Sequence, residues 1–350
     1  MAQHLRQSAT EQKKQQKGQG EQQKGQQEKK KLRITPKRAL IGGGILLAAV
    51  LVAVGVWAAL YTQRIDEGLA FDGQAQASIS QALVAPKEVD DPYYVLLLGS
   101  DSRTPGDYTG RSDTIILARI DPEVPQAMLL SIPRDTEIQL EGYGSQKINS
   151  AYTYGQQAGA IQAVSALCGV DIAHYVEINF EGVVGLVDTL GGVTVDVPVS
   201  VYLDGVSIEP GEQRLDGAQA LILSRCRSYP TGDYQRVVNQ RILLKAVVKE
   251  VLAADPVALP GLIEGLAACV RTDLTSLDAV SLLLGLKDIQ DDDIYMETIP
   301  SYNNYHDEAS YIAIQEPEFS EMMERVRQGL PPVDPDASAT PETDHYVVTE

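Results

Sequence analysis

YYVLLLGSDSR, residues 93–103, is the stretch on which the architecture turns. Val95 to Leu98 form a continuous apolar run of strand length, closed by Gly99, and a run of that kind is buried on both faces. Its polar tail places Asp101 and Arg103 just past the carboxyl end. Two similar runs follow, TIILARI at 114–120 and AMLLSI at 127–132. The turn between them, Asp121 to Gln126, is short enough to join an antiparallel pair. If the first strand also runs against the second, Asp101, Arg111, Asp113 and Arg134 gather on one edge of the sheet. Ligands bind in α/β folds at such an edge.

Outward from this core, strand-like and helix-like segments alternate. Ala158–Leu167 and Glu181–Leu190 read as helices, the second stopped by Gly191-Gly192. Tyr175–Ile178 and Val193–Val199 read as strands. Asp216 is placed to cap a helix reaching Leu223, and a long helix is expected from about Asp233 to Leu252. The alternation predicts a three-layer α/β/α sandwich around a central mixed sheet.

Two later segments carry polar groups that suit the same edge. In Ser224-Arg225-Cys226-Arg227 an extended backbone turns both arginines to one side and Cys226 to the other. Helical spacing aligns Asp233, Arg236 and Gln240 on a stripe that continues as Leu243, Leu244, Val247 and Val251. Polar groups on a core-directed face need a partner, and a helix amino end attracts anions. Planar guanidinium forks fit phosphate oxygens, and a pair of carboxylates fits Mg²⁺, which completes its shell with phosphate and water. The pattern therefore points to diphosphate recognition with a divalent metal. The plainer alternative is structural pairing of these arginines with Asp101, Asp113, Asp135 and Asp233. Five arginines and two acids from four separated segments weigh against it.

The 350-residue chain has a net charge of −19, with 44% apolar residues. Residues 1–38 hold 11 Lys/Arg against 3 Asp/Glu, and Arg64 adds one more, so the part from Ile65 onward carries −28. So acidic a body lacks the clustered cations that nucleic acid requires. Residues 1–38, rich in Gln and Lys, are expected to be a disordered cytoplasmic tail. Residues 39–62 contain no charged side chain and would span roughly 36 Å as a helix, enough for one transmembrane anchor. Basic flanking residues orient the remainder outside the cell. A juxtamembrane linker at 63–90, a catalytic domain at 91–330 and a disordered acidic tail at 331–350 complete the expected organisation. With 3 Cys and 4 His, neither a disulfide scaffold nor a zinc-finger array is available. With Cys226 turned inward, one disulfide between Cys168 and Cys269 is the expected pairing.

At these residues the chain resembles the LytR-CpsA-Psr family of cell-envelope phosphotransferases. The shared text runs from Val95-Leu-Leu-Leu-Gly-Ser-Asp101-Ser-Arg103 through Arg111-Ser-Asp113-Thr, Ser131-Ile-Pro-Arg134-Asp and Lys147-Ile-Asn-Ser-Ala-Tyr152. It continues with Tyr175 to Gly182, Leu190 to Pro198, Arg225-Cys-Arg227 and Gly232-Asp-Tyr-Gln-Arg236. Order and spacing hold from about 91 to 252, and the match is looser from 255 to 330. The resemblance implies an extracytoplasmic domain that holds a polyprenyl diphosphate in an apolar pocket. It also implies transfer of a glycopolymer phosphate, of the teichoic acid or capsular polysaccharide kind, from undecaprenyl diphosphate to a peptidoglycan hydroxyl. Carried over, Asp101 and Asp113 hold Mg²⁺, and Arg111, Arg134, Arg225, Arg227, Arg236 and Gln240 clamp the diphosphate. Asp233 stands where a base for the incoming hydroxyl belongs, beside Arg225 and Arg227 in the catalytic set. Lys147 serves either the site's electrostatics or the fold.

The chain departs from the family pattern at Asn239, where a further Arg is common, at Cys226 for Ser and at Tyr234 for Phe. Ser100 does not form a Gly-x-Ser-x-Gly elbow. His174 is expected to be structural, Asp291-Asp-Asp293 a solvated turn, and most of the 16 tyrosines packing residues. Two rival readings keep the same anion site: a hydrolase with water as acceptor, and a membrane-tethered lipid-binding regulator without catalysis.

Overall fold

A computed structural model describes residues 58–88, 91–100, 112–124, 126–229, 233–255, 259–267, 269–286, 289–306 and 309–334. In chain order the elements begin with helix α1 (Gly73–Ala82) and strands β1 (Tyr93–Ser100), β2 (Ser112–Ile120), β3 (Ala127–Ile132), β4 (Glu137–Leu140) and β5 (Gly144–Lys147). Then come α2 (Asn149–Cys168), β6 (Ile172–Asn179), α3 (Phe180–Thr189), β7 (Val193–Val197), β8 (Val201–Leu203), β9 (Val206–Ile208) and β10 (Gly211–Leu215). The rest are α4 (Gly217–Arg225), α5 (Asp233–Leu252), α6 (Leu259–Ala267), β11 (Val270–Thr272), α7 (Ser276–Gly285), β12 (Ile294–Thr298), β13 (Ser301–His306), β14 (Ala309–Ile314) and α8 (Glu318–Arg327).

Six strands form the central mixed sheet in the order β11-β6-β1-β2-β3-β12. β1 and β3 both run antiparallel to β2, with Leu97 opposite Ile116 and Leu117 opposite Leu130. β6 lies parallel to β1, β12 parallel to β3, and β11 antiparallel to β6. The carboxyl ends of β1, β3, β6 and β12 therefore share one edge with the amino end of β2, as the short 121–126 turn requires.

Strand periodicity sorts the apolar residues onto two faces. Leu96, Leu98, Ile115, Leu117, Met128 and Leu130 pack with Ile161 and Val164 of α2 and with Met322, Met323 and Val326 of α8. Val95, Ile116, Ala118 and Leu129 face Leu244, Val248 and Leu252 of α5 and Leu282 of α7. Each fully buried aliphatic side chain contributes about 1.5–3 kcal/mol by leaving water. Helices on both faces give the expected three layers.

Local chemistry explains the helix ends. Asp216 and Gln219 form a reciprocal capping box on α4, and the Asn179 side chain caps α3 through the Gly182 N–H at 2.8 Å. After α3 the chain turns through Gly191 and Gly192, at φ 73° and 100°, a region open mainly to glycine.

Several expectations are corrected. Residues 63–90 are not a bare linker: 58–69 are helical, and Ile65 and Leu69 pack on Ile263 and Ala267 of α6. Phe71 and Ile79 of the following segment enter the main core, so enough apolar surface is buried to order it. The helix expected at 158–167 begins at Asn149, interrupted at Gln156 with φ 50° and ψ −143°. The strand at 193–197 pairs with β10 in a separate two-stranded sheet. Cys168, Cys226 and Cys269 are all free thiols. Cys168 lies in the core on the α2 face, whereas Cys269 lies against Gly185 of α3 on the other face, so the sheet separates the proposed partners. The expected anchor, 39–62, falls almost wholly outside the described residues, as do the two tails. Among the described residues no helix is long and apolar enough to cross a membrane.

Candidate active site

Between the sheet and helices α3 and α5 lies a cavity of about 550 Å³. Its walls are apolar: Leu97, Ile116 and Val176 from the sheet, Val183 and Leu186 from α3, Leu243, Leu244 and Val247 from α5. At the ligand edge the lining changes character to Ser100, Asn179, Arg225, Arg227, Arg236 and Gln240. Among the described lining residues there are three arginines and no carboxylate. A positive mouth on a greasy slot suits an amphiphile with an anionic head.

Each polar group is positioned by its element. Arg225 is the last residue of α4, where a cation complements the helix dipole. Its Nη1 lies 3.9 Å from the exposed Asp204 carboxylate. Cys226 is the helix C-cap in extended conformation, φ −62° and ψ 130°, and it is 1% exposed within the core formed by α4, α5 and β7. Arg225 and Arg227 both reach the cavity while Cys226 turns away; the backbone expected to be extended over 224–227 is instead helical at Ser224 and Arg225, the end of α4, and extended only from Cys226. Arg236, in the first turn of α5, is buried at 4% exposure. Gln240, one turn on, donates to the Ser224 carbonyl at 3.1 Å, which joins α5 to the arginine segment.

Two further residues singled out from the sequence are not among the described lining residues of the cavity. Arg134 does not line the cavity; its Nε lies 3.8 Å from Asp135, which also pairs with Lys147 at 3.0 Å. Lys147 in turn sits 5.8 Å from the Tyr311 ring centroid. Asn239 does not occupy the mouth either. It is fully buried, donating to the Tyr229 hydroxyl at 2.8 Å and accepting from Gln235 at 3.0 Å. Asp101 and Arg111 lie outside the described residues, and Asp113 and Asp233 are described by backbone alone. Their neighbours are informative: Ser100 pairs with Ser112 across a register shift after Gly99, which sets the residues adjoining Asp101 and Asp113 side by side at the mouth. Among the described residues no group of three or more His, Cys, Asp or Glu comes together as a metal cage.

Two groups were not anticipated from sequence. Asn179 both caps α3 and lines the cavity; an Asn just before a helical run is the readable signal. Glu177, on the opposite face of β6, is wholly buried and accepts from Tyr152 at 2.5 Å, Tyr175 at 3.0 Å and Gln157 at 3.1 Å. Burial raises its pKa to about 7 against three stabilising hydrogen bonds. His174 is structural as expected, its Nδ1 2.8 Å from Asp273.

This apolar cavity with an arginine mouth, at the carboxyl edge of a mixed sheet, coincides with family resemblance on an independent scale. The LytR_cpsA_psr family model matches residues 58–328, and the chain belongs to that family. The polyisoprenyl-teichoic acid–peptidoglycan teichoic acid transferase TagU of Enterococcus faecalis is 31% identical over 294 residues, covering 82% of this chain and 95% of that one. TagU of Halalkalibacterium halodurans is 34% identical over 260 residues, covering 68% and 81%. The crystal structure of B. subtilis TagV superposes with a TM-score of 0.62 at 26% identity, covering 69% of this chain and 96% of that chain. Like the named relatives, the chain is a transferase.

Proposed function

We propose that the protein moves a glycopolymer phosphate from an undecaprenyl-diphosphate carrier to a peptidoglycan hydroxyl, attaching a cell-wall polymer. The single observation carrying this reading is the apolar cavity opening at Arg225, Arg227 and Arg236: an isoprenoid tail fits the walls and a diphosphate fits the mouth. The relatives named as teichoic acid transferases support the polymer class. The catalytic domain then lies outside the cell on an anchor at 39–62, with residues 1–38 in the cytoplasm.

In this reading Arg111, Arg134, Arg225, Arg227, Arg236 and Gln240 hold the diphosphate oxygens, and Arg236, the most buried, acts in the least screened setting. Asp101 and Asp113 would hold Mg²⁺; hard carboxylate oxygens fit that ion, and the Ser100–Ser112 pairing supports their proximity. When bound, the ion neutralises charge on the diphosphate. Asp233, at the start of α5, takes the proton from the acceptor hydroxyl. The acceptor oxygen bonds to the polymer-bearing phosphorus, the bridging P–O bond breaks, and the lipid monophosphate leaves with the electron pair. Positioned guanidinium groups stabilise the charge spread over the transferring group, and no covalent enzyme intermediate is needed.

The test is to incubate full-length protein with a lipid-diphosphate glycan donor, Mg²⁺ and peptidoglycan oligomers, then analyse products by mass. A glycan–phosphate–peptidoglycan adduct is expected, lost with a chelator. Phosphate release without adduct would assign a hydrolase, and lipid binding without turnover a receptor.

A further inference from the structure

Tyrosine dominates the aromatic residues, 16 against 3 Phe and 1 Trp, and its exposed members are unevenly placed. Among the described residues Tyr143, Tyr154, Tyr202, Tyr302 and Tyr305 are exposed, at 52%, 48%, 68%, 50% and 73%. Four of these five lie on two excursions from the ligand edge. The β4–β5 hairpin and the start of α2 follow the carboxyl end of β3, and the β13–β14 hairpin follows that of β12.

The two excursions are stitched together. Thr136 bridges Ile312, the Ile312 N–H donates to the Asp135 carbonyl at 3.0 Å, and His306 Nε2 lies 3.0 Å from Glu137. His306 also stacks on Tyr311 at 4.6 Å between ring centroids. The sheet register puts Tyr302 on the same face of its hairpin as His306 and Tyr311, the face bonded to β4–β5.

Tyr143 sits between Gly142 and Gly144, both in the left-handed region at φ 79° and 73°, and its N–H donates to the Leu140 carbonyl at 2.9 Å. This fixed turn presents the ring to Tyr154, stacked at 4.0 Å with 17° between planes. Half of each ring remains in water, so the pair makes a rigid platform that adds nothing to the core. Such a platform matches the CH face of a pyranose, and the exposed Gln139, on the strand leading into the turn, matches its hydroxyl and acetamido groups. Charge narrows the occupant further. Lys147 is held by Asp135, Glu137 and Glu141 flank the turn, and the chain from Ile65 on is strongly acidic. A polyanionic donor or an anionic membrane surface is repelled there; a neutral glycan is not.

We propose that the stacked Tyr143–Tyr154 pair docks the acceptor: a neutral N-acetylhexosamine strand laid beside the diphosphate mouth. This rests on the transferase reading for its biological role, but its binding chemistry is testable alone. Full-length protein in neutral detergent micelles is titrated with a β-1,4-linked N-acetylglucosamine tetramer and, separately, with undecaprenyl diphosphate. Saturable tetramer binding is expected. Tyr143→Ala with Tyr154→Ala should weaken it about tenfold, since both rings of the platform are lost. Tyr143→Phe with Tyr154→Phe should retain it, and lipid binding should be unchanged in both variants. No saturable tetramer binding by the wild type, or equal affinity in the alanine pair, overturns the proposal. So does a finding that the alanine pair instead loses attachment to phosphatidylglycerol vesicles. Tetramer binding without lipid binding supports the glycan surface and sinks the transferase reading.

Discussion

Asn239, on the second turn of α5, donates through Nδ2 to the Tyr229 hydroxyl at 2.8 Å and to the Leu223 carbonyl at 3.4 Å. With the Gln240–Ser224 bond of 3.1 Å, this ties both sides of the Arg225–Arg227 segment to one helix. Where the family commonly places another cation, this chain has a strut. Asn239→Ala should remove about 1–3 kcal/mol of stability by leaving buried partners unsatisfied. It should also weaken binding of undecaprenyl diphosphate, because two guanidinium groups lose their fixed frame. Calorimetric titration alongside thermal unfolding separates the two effects. A lower melting temperature with unchanged lipid affinity would reduce Asn239 to a fold residue. Tyr229→Phe should reproduce part of the loss.

The mouth arginines should not be equal. A hydrogen bond to a charged group is worth about 1.5–3 kcal/mol, so Arg225→Ala, Arg227→Ala and Arg236→Ala should each weaken lipid-diphosphate binding ten- to a hundredfold. Arg236, at 4% exposure, should cost most. Arg134→Ala should cost least, since Arg134 does not line the cavity and lies 3.8 Å from Asp135. Titration of the four variants against one lipid ranks them directly, and an Arg134 effect equal to that of Arg236 would contradict this ranking.

Glu177 predicts a pH dependence. Its carboxyl titrates near 7 in the folded protein against an ordinary value of 4.5. The folded state therefore binds the extra proton between those values, and its contribution to stability is complete below about pH 4.5. That contribution falls as pH rises to 7 and is gone above it, a change on the order of 3 kcal/mol. Glu177→Gln should abolish most of this slope. Urea melts at pH 5 and pH 8 check it: the wild type should lose more than the variant across the interval.

How much of this was legible beforehand depends on range. The three strands from Tyr93 to Ile132 were readable because their apolar runs and the short 121–126 turn are local signals, and they define the ligand edge. That Arg225 and Arg227 turn one way and Cys226 the other was readable, but the helical state of Ser224 and Arg225 was not, because the last turn of a helix is weakly marked in sequence. Glu177 was not, because its three donors come from β6 itself and from Tyr152 and Gln157, beyond any local window. Asn239 read as a missing cation for the same reason: Tyr229 lies ten residues away, across a turn whose path only the fold determines. The helix at 58–69 was hidden because its partner, α6, lies some two hundred residues on.

The cysteines offer a direct check on topology. Cys168 is buried and its thiol pushed up to about 12, Cys226 is 1% exposed, and Cys269 is only partly covered. Thiol titration of native protein should therefore label Cys269 first, with Cys168 and Cys226 reacting only on unfolding. A reductant should leave the melting temperature unchanged. A drop on reduction would mean that a disulfide forms despite the intervening sheet.

Two neighbouring residues of β2 separate the cavity from the core. Ile116 faces the cavity opposite Val247 of α5, whereas Leu117 faces α2 and α8 on the other side and is 1% exposed. Val247→Trp should fill the slot without removing core contacts, because the added ring enters space that is already open. Leu117→Ala should instead cost about 2–5 kcal/mol by leaving a hole in packed structure. Mass analysis of co-purified polyprenyl phosphate, normalised to folded protein, distinguishes them. Val247→Trp should carry almost none at near wild-type melting temperature, and Leu117→Ala should carry a full share at a lower one. If Val247→Trp keeps its lipid, the isoprenoid does not lie between the sheet and α5, and the arginine mouth must serve a ligand without a tail.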